Sequence, residues 1–588
     1  MLSRTYALTI LNNNVMEIFL IDAIGPFFRN YKKRNVNWSK IPFHSFFGKP
    51  KKTRRLFHTV RPDFDLFCKK IKQVGYNSVS LDDVAHLAPD PWIEPEVNKT
   101  ILDLQEEYRK LFAICNTHGL DIYLTMDILS LTPGLKERIG GRRSLANRFL
   151  QRQVETILST FPEIKGIIIR IGECDGKDVK GIFKSELLLR TSRQLNRLLH
   201  DLLPIFEHHQ AYLILRSWTV GAHQVGDFIW HRGTTAKVLR KIESPWFILS
   251  MKYGETDFFR YLPLNKHFFR FKIKKIIELQ ARREYEGCGE YPSFVGYDYR
   301  SYQQQLLSAP NMVGMSVWCQ TGGWMPFRRL SYLEPDGIWN EINSFVTLKI
   351  FRENMSVSQA VEAMAVEMNC PNPQALLELL NLSDQVVKEL LYTPELAKRK
   401  LFFRRVRIPS QLSVFWNNIF INHSVRKMMR ALVGDGKKCV DLGYQALSKI
   451  NRMKELTRQA GLNVTDIQYM ADTFGLLALA REYYFLPYSD EVKYRVKMAK
   501  KNYKRKYPPG ARPRYRIKTD FSNFKMHSRH LRWMIRLLLR DKRGYRVLDY
   551  LLTLHLLAYA IRFMVFVRPG LLPKFARDSA MGIETILR

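Results

Sequence analysis

The segment GIIIRIGECDG (residues 166–176) is the stretch that decides the fold. A short apolar run rich in isoleucine that ends abruptly in polar residues is typical of a buried parallel strand leading into a loop. Working outward, runs of the same kind alternate with amphipathic helical stretches from about residue 15 to 325. The eight predicted strands are Glu17–Ile21, Ser78–Leu81, Asp121–Met126, Gly166–Ile171, Tyr212–Trp218, Trp246–Met251, Lys275–Gln280 and Gly314–Trp318. This alternation predicts an α/β fold, a closed (β/α)8 TIM barrel occupying residues 1–345.

Polar and aromatic residues follow these runs where a barrel carries its chemistry, at the C-terminal ends of the strands. The strand ends read LDDVAH, TMDIL, RIGECDG, LRSWTVG, MKYGETDF, IELQARREYEG and SVWCQTGGW. A single polar strand end would be an ordinary loop start. Because carboxylates, arginines and tryptophans recur at seven ends, the sequence favours one shared site.

Cleavage of a glycosidic bond needs a proton donor for the leaving oxygen and a second carboxylate that activates water or attacks the anomeric carbon. Glu173, at the mouth of the fourth strand, is the best candidate donor, although it could instead form a salt bridge with Arg170 or Arg216. Barrel geometry does not rank the candidates for the second carboxylate, which are Glu255, Asp257, Glu278, Glu284 and Glu286.

The order of motifs between residues 166 and 287 resembles glycoside hydrolase family 67, the α-glucuronidases. RIGECDG, LRSWTVG, KYGETDF and REYEG stand in the family's order at barrel-strand spacing, with Tyr253 in place of an asparagine and Arg283 in place of a glutamine. The resemblance implies that Glu173 is the acid and that Asp257 and Glu284 hold the attacking water. It also implies inversion at the anomeric carbon.

Further strand-end residues are candidates for substrate binding: Asp82, Asp83, Asp127, Arg170, Arg216, Trp218, Lys252, Glu255, Arg283 and Trp318. The cationic side chains could bind a uronate carboxylate or merely orient the catalytic carboxylates. The tryptophans could stack on sugar faces or simply pack. No cofactor is implied, and His86 lacks a second histidine at metal-ligand spacing.

The chain of 588 residues has a formal net charge of +38 and is 46% hydrophobic, which excludes disorder throughout and predicts attraction to polyanions. An acidic, uronic-acid-containing glycan is the expected substrate. Two alternatives remain: a peripheral-membrane enzyme of envelope-polysaccharide metabolism, and a noncatalytic barrel that binds a polyanion. No nucleic-acid-binding motif is visible, so no specific nucleic acid is expected.

After the barrel, helical periodicity dominates residues 346–490, which predicts an all-helical domain that packs on the barrel or forms a homodimer. Residues 491–588 form a basic, partly apolar helical tail, with twelve Lys or Arg and no acidic residue from Lys493 to Lys518. Such a tail either contacts an anionic membrane peripherally or packs on the helical domain.

Seven cysteines without a CxxC pair, and an N-terminus whose apolar stretch is interrupted by polar residues, favour a reducing cytoplasm without disulfides. The expected location is therefore cytoplasmic, with possible membrane contact through the tail.

Overall fold

The computed structural model describes residues 16–31, 40–171, 181–218, 224–229, 232–320, 329–403, 406–509 and 514–521, with a few isolated positions beyond. Its centre is a closed barrel of eight parallel strands in the order β1-β8-β7-β6-β5-β4-β3-β2. The strands are β1 (Ile18–Asp22), β2 (Ser78–Leu81), β3 (Asp121–Ile128), β4 (Ile164–Ile171), β5 (Tyr212–Arg216), β6 (Phe247–Lys252), β7 (Lys274–Gln280) and β8 (Met312–Trp318). The predicted TIM barrel is confirmed, with each strand within a few residues of its predicted bounds.

The barrel closes where β1 meets β8. Gly314 faces Ile18 across this seam, and a carbon atom added to Gly314 would lie 2.1 Å from the carbonyl oxygen of Ile18. Only glycine permits so close an approach of the two backbones. The interior is filled by apolar side chains from several strands: Ile18, Leu20, Tyr123, Ile168, Ile214, Ile248 and Ile276.

Helices surround the strands and bury their apolar faces against the outside of the barrel. Proline begins several of them, where its missing N–H costs no hydrogen bond, and Thr191 and Gln194 form a capping box at another. The barrel helices are Pro50–Val74, Pro95–Thr117, Pro133–Ile139, Arg143–Thr160, Ser192–His208, Arg232–Val238, His267–Arg270, Gly296–Leu306 and Ile338–Glu353. The last of them runs across the boundary predicted at residue 345.

Helices also dominate the region after the barrel, as predicted. They are Val357–Glu367, Pro373–Val386, Pro394–Ala397, His423–Leu432, Gly436–Gln459, Val464–Phe485 and Asp490–Lys506. Short strands that the helical periodicity did not indicate accompany them, so this region is not purely helical. They are Phe402–Phe403, Val406–Arg407, Val414–Phe415, Asn418–Asn422, Arg516–Asp520 and Leu539–Arg540.

The first part of the predicted basic tail packs on the helical region. Its helix Asp490–Lys506 buries Val496 and Tyr503 and ends just before Pro508. Strand Arg516–Asp520 then pairs in parallel with Asn418–Asn422. Membrane contact therefore remains a prediction for the exposed basic side chains and for the residues that follow. None of the helices in the described ranges combines the length and apolar character needed to cross a membrane.

Candidate active site

The strand periodicity brings polar groups together at the C-terminal end of the barrel. Side chains two residues apart on a strand point to the same side. The residues two positions after the apolar interior side chains therefore form a second layer of the barrel interior, and this layer is polar. Its members, all of them buried, are Asp22, Thr125, Arg170, Arg216, Ser250 and Glu278. The barrel interior thus changes from apolar to charged toward the ends at which the sequence predicts a site.

A bidentate ion pair lies in this polar layer. Arg216 Nε donates to Glu278 Oε1 at 2.9 Å, and Arg216 Nη2 donates to Glu278 Oε2 at 2.8 Å. Ser250 Oγ donates to the same carboxylate at 2.6 Å. Burial raises the pKa of Glu278, but Arg216 and these hydrogen bonds outweigh it and hold the pKa below its ordinary value. Glu278 is therefore ionised and serves to orient Arg216.

Asp257 is held as a carboxylate at the end of β6. Lys252 Nζ lies 2.6 Å from Asp257 Oδ1, and Tyr285 Oη donates to Asp257 Oδ2 at 2.5 Å. The Lys252 ammonium also lies 3.7 Å from the ring centroid of the partly exposed Trp218. Although burial raises the pKa of Asp257, Lys252, Tyr285 and the Phe258 N–H together lower it below its ordinary value.

Glu284 lies in the opposite electrostatic environment. Its Oε2 accepts from Arg282 Nη2 at 2.7 Å, and its backbone N–H donates to Gln280 Oε1 at 3.0 Å. Burial raises the pKa of Glu284, the charge of Asp257 raises it further, and Arg282 offsets only part of this effect. The two carboxylates are therefore close enough to interact, and Glu284 keeps its proton to higher pH than Asp257 does.

Trp318 lies beside the two arginines of this group. The guanidinium of Arg216 is 5.0 Å from its ring centroid, and that of Arg282 is 6.0 Å away. We define the strand 5–8 cluster as Arg216, Trp218, Lys252, Asp257, Glu278, Arg282, Glu284 and Trp318. The cluster thus combines six of the residues predicted from sequence to bind or cleave substrate with Arg282 and with Glu278, which was one of the open candidates for the second carboxylate.

A second group, the strand 2–4 cluster, consists of Lys40, Asp82, Asp127 and Arg170. Arg170 Nε lies 2.7 Å from Asp127 Oδ1 and Lys40 pairs with the other oxygen, so that Asp127, despite burial, has a pKa below its ordinary value. Asp82 accepts from Thr125 Oγ1 at 2.6 Å, yet burial raises its pKa. Each cation of this cluster already faces a carboxylate.

Asp83 lies next to Asp82 but has a different partner. Its Oδ1 is 2.6 Å from His86 Nδ1, and it caps the short helical turn Val84–His86. Burial opposes the ionisation of Asp83, but His86 and Lys40 outweigh it and lower the pKa to about 2. The His86 ring stacks on Phe43 with centroids 3.8 Å apart.

Two residues predicted to bind substrate are engaged elsewhere. Glu255 is buried against Arg407, whose Nη1 lies 3.5 Å from Glu255 Oε2 and which belongs to the region after the barrel. Arg283 is 1% exposed and pairs with Glu286 in a buried network, so the structure gives it a supporting role there and no open face for substrate. Glu173, the predicted acid, lies outside the described residues.

Asp22, Lys40 and Tyr285 were not predicted to be site residues. Asp22 ends β1, and its Oδ1 accepts from the Cys319 N–H at 2.6 Å, which ties β1 to the segment after β8. Its place at the end of the run IFLID could have revealed it. Lys40 precedes the first barrel helix and is far in sequence from any strand end, so no pattern pointed to it. Tyr285 belongs to the motif REYEG, in which only the carboxylate was considered from the sequence, so its role was missed as well.

Asp22 leads to a pH-dependent prediction. Burial, partly offset by Arg282 and by backbone N–H groups, raises the pKa of Asp22 from 3.8 to about 6. Between these values the folded state binds more protons than the unfolded state, so the contribution of Asp22 to stability declines as pH rises through this window. In Asp22→Asn this decline should be absent, because asparagine still accepts the Cys319 N–H but does not titrate. Melting temperatures of the wild type and of Asp22→Asn, measured across this pH window, would show the difference. If the two plots of melting temperature against pH ran parallel, the prediction would be contradicted.

Within the described ranges, no group of three or more His, Cys, Asp or Glu side chains is arranged to hold a metal ion.

Comparison with known proteins gives structural similarity without a family assignment. No protein-family model matches the chain, and no curated protein matches it significantly. Solved structures similar to it include a GH138 enzyme targeting pectin rhamnogalacturonan II, with 10% identity, a TM-score of 0.47, and coverage of 84% of this chain and 73% of that one. CpGH84B is 11% identical with a TM-score of 0.39, over 83% of this chain and 74% of its own.

A third similar structure is CpGH89 from Clostridium perfringens in complex with GlcNAc-α-1,4-galactose. It is 10% identical with a TM-score of 0.41, over 83% of this chain and 53% of its own. Identities and TM-scores this low assign neither a family nor an activity, so the function must be argued from the geometry of the barrel mouth.

Proposed function

We propose that this chain is a glycoside hydrolase that cleaves a glycosidic bond by carboxylate acid–base catalysis at the C-terminal mouth of its barrel. The observation that carries the proposal is the contrast between Asp257 and Glu284. These carboxylates interact electrostatically, yet Lys252 and Tyr285 keep Asp257 ionised while burial and the charge of Asp257 keep Glu284 protonated to higher pH. Pairs of carboxyl groups whose pKa values are pushed apart are the working groups of many glycosidases.

In the mechanism that we propose, Asp257 accepts the proton of an attacking water and Glu284 hydrogen-bonds the same water. Glu173, whose role rests on the sequence resemblance, gives a proton to the leaving oxygen. Lys252 keeps Asp257 ionised in the resting enzyme, and Trp218, partly exposed beside Lys252, offers an apolar face to a sugar ring.

The finer form of the proposal is an α-glucuronidase-like enzyme acting on an acidic glycan. It is supported by the four motifs in family order and by the net charge of +38, which attracts anionic polymers. Two buried donors in the mouth, Arg282 Nε and Trp318 Nε1, have no hydrogen-bond partner within the described part of the chain. The cationic side chains of the mouth support the other role considered for them, which is to orient the carboxylates of the site, since each of them already pairs with a carboxylate.

The test is a screen of the purified chain against aryl glycosides, neutral oligosaccharides and uronate-capped oligosaccharides. Hydrolysis of any glycoside supports the general proposal, and a preference for uronate-capped substrates supports the finer one. Absence of hydrolysis across all three sets would contradict the proposed activity.

Glu173→Gln provides a prediction within the same screen. If Glu173 is the acid, kcat/KM should fall by about a hundredfold or more for a sugar leaving group, which needs protonation. The loss should be much smaller for an aryl leaving group that departs without a proton. Glu207→Gln, an exposed change on helix Ser192–His208, is the matched control. Full activity of Glu173→Gln toward a sugar leaving group would remove Glu173 from the mechanism.

A further inference from the structure

We propose that the hairpin of residues 414–422, which follows the barrel in the chain, positions Tyr285 against Asp257 and is therefore part of the catalytic apparatus. The catalytic consequence rests on the proposed function of Asp257, whereas the contact itself does not. The hairpin consists of strands Val414–Phe415 and Asn418–Asn422, joined by Trp416 and Asn417.

Aromatic rings from two parts of the chain hold the Tyr285 side chain. Phe259, from the loop after β6, stacks on it with centroids 4.3 Å apart and an interplanar angle of 28°. Trp416 stacks at 6.0 Å and 25°, and Phe415 lies 5.6 Å away. The Tyr285 hydroxyl then donates to Asp257 Oδ2 at 2.5 Å. The direction of this hydrogen bond thus depends on rings supplied by the hairpin.

The backbone conformation at Trp416 supports a role for its ring in holding Tyr285. Trp416 has φ +49°, in the left-handed region that glycine or asparagine adopts at lower cost than a bulky residue. Its side chain is nevertheless almost fully buried. Strain of this kind persists only when the surrounding packing enforces it, and here the Trp416 ring packs on Phe415, with centroids 4.0 Å apart, and on Tyr285.

The hairpin is itself anchored to the region after the barrel. Asn418–Asn422 pairs in parallel with Arg516–Asp520, and the Tyr484 hydroxyl donates to the Phe420 carbonyl. Residues that lie more than a hundred positions after Asp257 in the chain thereby determine where Tyr285 sits.

Among the described residues, the titratable or charged groups that face Asp257 are Lys252 from β6, and Glu284 and Tyr285 from the loop after β7. Deletion of the Tyr285 hydroxyl leaves Lys252 and the Phe258 N–H as the groups that favour ionised Asp257. The carboxyl should then lose its proton at higher pH than in the wild type.

The experiment is a double-mutant cycle of Tyr285→Phe and Trp416→Ala, measured as the pH profile of kcat/KM. In Tyr285→Phe, the acid limb should move to higher pH and the activity on that limb should fall about tenfold, as for loss of one hydrogen bond to a charged group. Trp416→Ala should move the limb in the same direction, Trp416→Phe should move it less, and the double variant should move it no further than Tyr285→Phe does.

Tyr302→Phe is the matched control, because it deletes a buried hydroxyl that donates only to the Leu262 carbonyl at 2.7 Å. It should leave the acid limb in place. A Trp416→Ala variant that loses activity equally at every pH, or whose loss persists in the Tyr285→Phe background, would overturn the positioning role.

Thermal stability gives a readout that does not need activity. Ionised Asp257 stabilises the fold above its ordinary pKa of 3.8, and this contribution is lost as pH falls through the lower folded value. The melting-temperature difference between each protein and its Asp257→Asn counterpart should therefore shrink in Tyr285→Phe and in Trp416→Ala. If it shrinks and no glycoside is hydrolysed, the positioning inference stands and the proposed function fails. If hydrolysis occurs and neither readout changes, the inference fails.

Discussion

Asp257→Asn is expected to lower kcat/KM by about a thousandfold, within the range that general base catalysis contributes. Asparagine has nearly the same shape but only one acceptor oxygen, so it can accept from the Phe258 N–H or from the Tyr285 hydroxyl, which donate to different oxygens of Asp257 in the wild type. It cannot take a proton from water, and it leaves Lys252 without its counter-charge. The loss should therefore appear in kcat, with a modest change in KM.

The measurement is steady-state hydrolysis of the best substrate from the glycoside screen, accompanied by a melting curve to verify folding. Asp103→Asn, an exposed substitution on helix Pro95–Thr117, is the control and should behave as the wild type. Retention of more than about a tenth of wild-type activity by folded Asp257→Asn would exclude Asp257 as the base, since loss of a base costs more than this.

Glu286→Ala is expected to destabilise the protein by about 3–5 kcal/mol, the usual cost of removing one partner from a buried ion pair. Glu286 is fully buried and accepts from Arg260 at 3.2 Å and from Arg283 at 3.0 Å. Ser293 and the Tyr392 hydroxyl, the latter at 2.7 Å, also donate to it. Alanine would leave two buried guanidiniums without their shared carboxylate.

The destabilisation caused by Glu286→Ala should also weaken the contact between the barrel and the helical region. Arg260 also pairs with Asp384 at 2.9 Å, and both Asp384 and Tyr392 follow the barrel in the chain. Urea unfolding of Glu286→Ala and Glu286→Gln would measure the decrease in the free energy of unfolding. This decrease should be smaller for Glu286→Gln, because glutamine still accepts hydrogen bonds. Glu378→Gln, in the exposed pair with Arg452, should change stability little. Equal stability of Glu286→Ala and the wild type would show that the network contributes nothing to folding.

Part of the site was predictable because strand ends are local features. Asp257, Glu284, Lys252, Arg216 and Trp318 follow apolar runs directly, and parallel strands of a barrel bring all such ends to one mouth. Their individual roles were not predictable, because a role depends on which charge lies opposite. The neighbours Arg282 and Arg283 show this clearly: Arg282 pairs with Glu284, whereas Arg283, with φ +46°, pairs with Glu286 in the network beneath the helical region.

The sequence by itself determined the eight-stranded barrel and the mouth at which polar residues collect, since both follow from the alternation of apolar and polar positions along the chain. Only the tertiary structure decided which cation faces which carboxylate, and hence that the pKa of Asp257 lies below its ordinary value while that of Glu284 lies above it. It also placed Trp416 and Phe415 on Tyr285. The contacts of Tyr285 with Asp257 and with Trp416 join residues far apart in the chain. Lys252 and Arg282 are close in sequence to their carboxylates, but the electrostatic effect of a charge depends on separation in space and on burial, neither of which a linear pattern records.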